Sequence, residues 1–516
     1  MKTARNGSGG FVGSAIALSF GLLLAGFVFS GTASALLYRT PEGTLKDNCV
    51  VWDDGVYHLF TMYRRVPKDR DQDQWRGVWS ATSTDGVHWK DVGPVINDAP
   101  FGIYAMRVWK AGDKFLMNHG SFTGEAQDVL KLWESSDLEH WTYLGPEFDI
   151  RRPDGQRIDH MDVVTEVEAG KTVYYGYAVG GMLRSEDSYK WTWLGDVPLT
   201  DKLDIRVVQE PGGCQRIGDL FYLLVGGFFP GNYEYAVGTY ISEEPTGPFR
   251  PDYPALRLNG YSGRNLVALW AGYCRKPDEL LLTNYILDPV GDFWWHAPLK
   301  TAVIDDAKHL RMGYWKGNEA LKGAELPCDL ARAQSALPDS GNAVNATSDA
   351  LTFVAAPRPQ SKWITPGDPN WSLAFLETPL KADKGLVIEG TIKVTRLNDI
   401  FIPTIGICLE RPNQEATAIL FETWGQTEIG TLRWSGAVHF DSEDKTGFGC
   451  ATVAGITPDK TCRFRILYRQ NIFECYLDDL LVQTYSIKDF TGRIGFVVQD
   501  GEGTFGDLKA WEMSLP

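Results

Sequence analysis

The feature that most constrains this chain is a repeat of about 50 residues. A tight turn followed by an apolar, aromatic run occurs five times. It reads Asp54-Gly55-Val56-Tyr57-His58-Leu59-Phe60, then Ala111-Gly112-Asp113-Lys114-Phe115-Leu116-Met117. The later copies are Ala169-Gly170-Lys171-Thr172-Val173-Tyr174-Tyr175, Ile217-Gly218-Asp219-Leu220-Phe221-Tyr222-Leu223 and Lys276-Pro277-Asp278-Glu279-Leu280-Leu281-Leu282. Each is a hairpin signal that leads into a strand. A second signal interleaves with the first: Ser83-Thr84-Asp85-Gly86-Val87-His88-Trp89, Ser136-Asp137-Leu138-Glu139-His140-Trp141 and Ser185-Glu186-Asp187-Ser188-Tyr189-Lys190-Trp191, with a degenerate copy from Ser242 to Phe249. Here a Ser/Asp turn delivers a Trp able to pack between neighbouring sheets. Two hairpins per unit give about four short strands, which is a propeller blade. The expectation is an all-β chain with a five-bladed β-propeller over residues 36–325.

The remainder, residues 326–516, differs. A stretch rich in Ala, Ser, Asn, Asp and Pro from Cys328 to Pro359 precedes short alternating strands such as Gly385–Ile392, Cys462–Tyr468 and Gly492–Val498. That pattern predicts a linker and a C-terminal β-sandwich of jelly-roll or lectin-like type. Its expected role is to buttress the propeller; the alternative is a carbohydrate-binding module. At the other end, Lys2 and Arg5 precede an apolar run from Phe11 to Ser30, and Ala33-Ser34-Ala35 follows. Residues 1–35 are therefore expected to be a signal peptide cleaved after Ala35, which makes the protein secreted or periplasmic, with no stable membrane insertion after cleavage. The alternative is an uncleaved membrane anchor. Export permits disulfides. Yet the eight cysteines form no CxxC pair and no zinc pattern, and several are expected to be buried free thiols.

The net charge is −16 and no basic block occurs, so a nucleic acid is excluded as partner. Of the 18 Trp, 21 Tyr and 25 Phe, most are expected in the core and a few against sugar rings.

In a propeller the innermost strand of each blade starts near the central channel. Asp47, Asp162 and Glu210 occupy that station in blades one, three and four, and Asp159 is close enough to replace Asp162. Unpaired charges are costly in a buried channel, so converging acids point to function. Glycosidic cleavage needs an acid for the leaving oxygen and a second carboxylate as nucleophile or base. A third can hold the acid protonated, because like charges resist joint ionisation. Glu210, with the longer side chain, is assigned as the acid, Asp47 as nucleophile or base, and Asp162 as modulator. Candidate substrate contacts are Arg107 and Trp109 in blade two, Asp159, Arg206 ahead of Glu210, and Arg264 and Trp270 in blade five. His160 and His296 read as structural. No metal and no cofactor is required.

The stretches Asp47-Asn48-Cys49, His160-Met161-Asp162-Val163 and Gln209-Glu210-Pro211 resemble the catalytic stations of the five-bladed propeller glycoside hydrolases. These are families 32 and 68, which process fructosides, and family 43, which cleaves arabinan, xylan and galactan. The exit Leu310-Arg311-Met312-Gly313-Tyr314-Trp315, followed by a sandwich, is most similar to family 32. Lys46-Asp47-Asn48-Cys49 stands where family 32 has an Asn-Asp-Pro-Asn motif, and Met161-Asp162-Val163 where it has Arg-Asp-Pro. The resemblance implies an exo-acting glycoside hydrolase on terminal fructoside- or arabinoside-type sugars of oligo- or polysaccharides, retaining rather than inverting. The alternatives are a transglycosylase or phosphorylase relative and a non-catalytic carbohydrate-binding propeller.

Overall fold

The computed structural model describes residues 38–40, 44–64, 75–97, 99–121, 127–201, 210–228, 235–260, 269–288, 293–357, 369–399, 401–453 and 455–515. The expected signal peptide lies outside the described residues. Among the described residues, no helix is long and apolar enough to cross a membrane.

The fold is all-β: a propeller followed by a C-terminal β-sandwich. Blade one runs outward through Thr44–Asp53, Val56–Arg64, Gly77–Ser83 and Lys90–Ile96. Blade two begins at Tyr104–Ala111, blade three at Met161–Glu168 and blade four at Glu210–Ile217, each a separate antiparallel sheet of four or five strands. The expectation of a five-bladed propeller needs a correction: among the described residues, four blades are sheets of their own. A fifth set (Leu269–Arg275, Leu280–Asp288, Lys300–Ile304 and Leu310–Tyr314) has the same meander, but its outer edge is not free. Gly313 pairs with Leu480, and the Tyr314 N–H donates to the Asp479 carbonyl at 2.7 Å, so the set continues into the C-terminal sheet. An open edge is a template for unwanted pairing, and here the following domain covers it.

The repeated turn has one structural meaning throughout. Asp85 Oδ1 accepts from the N–H groups of Val87 (2.9 Å) and His88 (2.8 Å). Asp137 does the same for Glu139 and His140, and Asp187 for Tyr189 and Lys190. The aromatic residue that follows packs edge-on against the preceding blade. Trp141 meets Phe60 of blade one at 5.8 Å, Trp191 meets Trp109 of blade two at 6.3 Å, and Phe249 meets Tyr177 of blade three at 6.0 Å. Trp89 of blade one meets His296 of the fifth set at 5.2 Å, which carries the same contact across the ring closure. Such aromatic pairs add about 0.5–1.5 kcal/mol each beyond area burial. Tyr38, ahead of blade one, also bridges to His296, whose N–H donates to the Tyr38 carbonyl at 3.0 Å.

The C-terminal region has two sheets. One carries Leu386–Thr395, Cys462–Arg469 and Glu502–Met513; the other carries Thr404–Arg411, Glu415–Glu422 and Ile494–Gln499. Ile388, Phe464 and Phe505 from the first share one apolar core with Ile407, Phe421 and Phe496 from the second. All eight cysteines are free thiols, seven of them buried.

A buried ion pair joins the propeller to this region. Lys300 Nζ lies 2.5 Å from Glu474 Oε1, with both side chains essentially inaccessible. Lys300 also donates to Asn284 Oδ1 at 2.9 Å, and the Tyr476 hydroxyl donates to Glu474 Oε2 at 2.7 Å. Burial pulls the Lys300 ammonium below its ordinary range and Glu474 opposes that. Removing one partner strands the other charge. Glu474→Ala is therefore expected to cost about 3–5 kcal/mol in urea unfolding, and Lys300→Met/Glu474→Leu to recover most of it.

Candidate active site

Backbone irregularity delivers the acids. In blade one the pairing of the first two strands slips between Lys46 and Asn48, leaving Asp47 as an extra residue at φ 48°. A bulge of this kind re-aims a side chain and terminates regular pairing. Blades two and four and the fifth set slip at the same station, between Tyr104 and Arg107, Pro211 and Gly213, and Leu269 and Ala271. Blade three shows no such slip. Its acid, Asp159, sits just ahead of the first strand, and its backbone presses on Gly120, where a Cβ would lie 2.2 Å from the Asp159 carbonyl oxygen.

Three carboxylates converge: Asp47, Asp159 and Glu210. Burial raises the Glu210 carboxyl to about 7; the Tyr235 hydrogen bond opposes this, and the charges of Asp47 and Asp159 add to it. Burial also raises Asp159, opposed by Arg157 and reinforced by Asp47. Each acid has its own holder. The Tyr285 hydroxyl donates to Asp47 Oδ1 at 2.8 Å, and the Tyr235 hydroxyl donates to Glu210 Oε2 at 2.8 Å. The Arg157 guanidinium pairs with Asp159. Gly226 lies opposite Glu210 in the sheet, and a Cβ there would fall 1.9 Å from the Tyr235 oxygen, so only glycine leaves room for that hydroxyl.

Arg107 lies beside this group. It is 3% exposed and crosses the channel to donate to the carbonyls of Asn48 in blade one and Gly212 in blade four, each at 3.3 Å. Downstream of it on the inner strands lies a cavity of about 410 Å³, lined from all five units. Asp162 belongs to this cavity. Its Oδ2 accepts from Arg275 at 2.9 Å and from the Cys214 N–H at 3.1 Å, so it ties blade three to blade four and the fifth set.

The other expected residues divide. Trp109 packs between blades two and three, donating to Ser188 Oγ at 3.3 Å. Arg206, Arg264 and the Trp270 side chain lie outside the described residues. His160 meets the Pro211 carbonyl at 2.6 Å, and His296 meets Asn48 at 3.0 Å. Burial holds both imidazoles below their ordinary range. Reading by strand station did not single out Tyr235, Tyr285 and Arg157. Only Arg157, two residues before Asp159, carried a local signal. No metal-binding cluster of His, Cys, Asp and Glu occurs among the described residues.

No family model matches the chain. A probable sucrose-6-phosphate hydrolase from Psychromonas ingrahamii is 28% identical over 106 residues, which is 20% of this chain and 19% of that protein. The match thus spans about a fifth of the curated relative. Solved structures agree over far more of the chain. The sucrose-6-phosphate hydrolase of Lactobacillus gasseri has a TM-score of 0.64 at 14% identity, covering 94% of both chains. The Bombyx mori GH32 beta-fructofuranosidase has 0.61 at 12%, covering 92% of both. Fructan 1-exohydrolase IIa of Cichorium intybus has 0.60 at 13%, covering 92% of this chain and 96% of that one. The chain has the fold of these glycoside hydrolases.

The geometry separates the two blade-three acids by experiment. Asp159→Asn is expected to lower kcat/KM about 100-fold or more while leaving the unfolding midpoint nearly unchanged. Asp162→Asn is expected to cost about 2 kcal/mol of stability and far less activity. Parallel kinetics and urea melts check both.

Proposed function

We propose that this chain is an exported, exo-acting glycoside hydrolase that removes terminal fructoside-type sugars by a retaining mechanism. The observation that carries the proposal is the convergence of Asp47, Asp159 and Glu210, with burial and both neighbouring charges raising Glu210 to about 7. An acid with that value holds its proton near neutral pH and still returns to it after giving it up.

In the first step Glu210 gives its proton to the glycosidic oxygen as that bond breaks. Asp47 attacks the anomeric carbon and forms a glycosyl ester. In the second step Glu210 takes a proton from water, whose oxygen attacks the same carbon and releases Asp47. Tyr285 orients the Asp47 carboxylate for attack. Asp159, gripped by Arg157, accepts hydrogen bonds from ring hydroxyls and keeps negative charge near Glu210, which favours its protonated form. Arg107 fixes the inner strands of blades one and four next to these acids. Support for fructosides comes from the shared fold with fructosidases and from the short match to a probable sucrose-6-phosphate hydrolase. Support for export, to the periplasm or the exterior, is the basic start, apolar run and Ala33-Ser34-Ala35 of the amino terminus.

A hydrolysis screen tests the proposal, using the chain from Leu36 on sucrose, fructans, arabinans, xylans and aryl glycosides beside Glu210→Gln. Release of fructose that the variant loses is expected; release of arabinose instead would reassign the sugar. Silence on every substrate, with saccharide binding intact in both proteins, would leave a binding propeller.

The pH profile follows from the same group. Because Glu210 must start protonated, kcat/KM is expected to fall as pH rises through about 7. Tyr235→Phe removes a hydrogen bond that stabilises the ionised form. The alkaline limb should therefore move up, by about one pH unit.

A further inference from the structure

The second sheet of the C-terminal region has an outer face with its own cleft, a cavity of about 800 Å³ remote in sequence from the propeller acids. Its floor is a cross-strand row. Trp371 pairs with Gln499, Gln499 with Thr404, and Thr404 with Glu422. Directly paired residues put their side chains on the same face, so an indole, an amide, a hydroxyl and a carboxyl stand side by side. Glu428 lies one row further in, opposite Leu420. The facing wall is the segment from Trp434 to Phe440, whose half-buried indole rests on Phe375 at 5.1 Å.

This wall and floor are not a by-product of core packing. The opposite face of the same strands supplies Ile419, Phe421 and Val498 to the sandwich core. Leu420, between the two, joins a separate outer apolar cluster with Trp371. Glu422 has a buried carboxyl oxygen, Oε2, with no hydrogen-bond partner. Burial and the neighbouring charge of Glu428 raise this carboxyl to about 7, with Lys445 opposing, so near neutrality it both donates and accepts. No Lys or Arg is among the residues described as lining the cleft, while two carboxyls, Glu422 and Glu428, are, which disfavours an anion.

We propose that this cleft is a non-catalytic binding site for one unit of a neutral saccharide. An uncharged ring rich in hydroxyls matches the row of mixed donors and acceptors, and its apolar face matches the indole wall. Glu422 and Gln499 take the hydroxyls, and Trp434 takes the ring face. The site anchors a chain while the propeller acts elsewhere on it, and its existence does not depend on the propeller being catalytic.

The test uses the full chain carrying Glu210→Gln, titrated by calorimetry and tryptophan fluorescence with fructo-, arabino- and xylo-oligosaccharides of four units. At least one is expected to bind. Gln499→Ala is expected to weaken that binding at least tenfold and Trp434→Ala to abolish it. With Glu210 restored, both variants should hydrolyse a small aryl glycoside at the parent rate. Gln499→Ala keeps the test valid if Trp434→Ala fails to fold. Binding that neither variant changes, or no binding to any of the three classes, overturns the proposal. If Glu210→Gln still hydrolyses the aryl glycoside, the catalytic reading falls while the sandwich site stands.

Discussion

A propeller works only if its ring closes, because each blade presents its inner strand correctly only when both neighbours press on it. Here closure is made by contact rather than by covalent links, since all eight cysteines are free. Trp89 packs on His296 across the join, Tyr38 pairs with the same residue, and the Asn48 amide holds its imidazole. Asn48 follows Asp47 directly, so the residues that shut the ring also fix the peptide next to one of the acids. Arg107 repeats the principle inside the channel, tying the carbonyls of Asn48 and Gly212 from opposite sides. A buried guanidinium with several carbonyl acceptors is tolerated where an unpaired one is not.

Much of the fold was legible because its signals are local. The Ser/Asp turns state their own hydrogen bonds, and the Trp of each turn meets the blade before it, as spacing implied. The sheet joining Gly313 to Leu480 was not legible, since an edge strand's partner lies far away in sequence and nothing local marks it. Among the acids, Asp47 and Glu210 could be placed from strand station alone. The choice between Asp159 and Asp162 could not. A three-residue step moves a side chain from the group around Asp47 and Glu210 to the cavity lined by Asp162, and the absence of a bulge in blade three is invisible in composition. Tyr235 and Tyr285 reach the acids from other strands, and only tertiary structure sets such contacts. Trp109 was misleading for a related reason: a Trp on an inner strand can serve the seam between blades as readily as a pocket.

The three acids differ in what touches them. The charge of Asp47 raises both Glu210 and Asp159, because like charges resist joint ionisation. The contact at Asp159 is a guanidinium, which favours the carboxylate, whereas Tyr235 at Glu210 is a neutral phenol and opposes burial only in part. Burial raises both carboxyls, opposed at Asp159 by Arg157 and at Glu210 by Tyr235. Chain geometry agrees with this electrostatic division. Glu210 opens its strand opposite Gly226, where the missing side chain admits the Tyr235 hydroxyl, while Asp47 is thrust forward by a bulge. The proposed roles, proton donor for Glu210 and nucleophile for Asp47, draw on these two placements. Under that proposal, two unlike roles follow from strands that begin in two unlike ways.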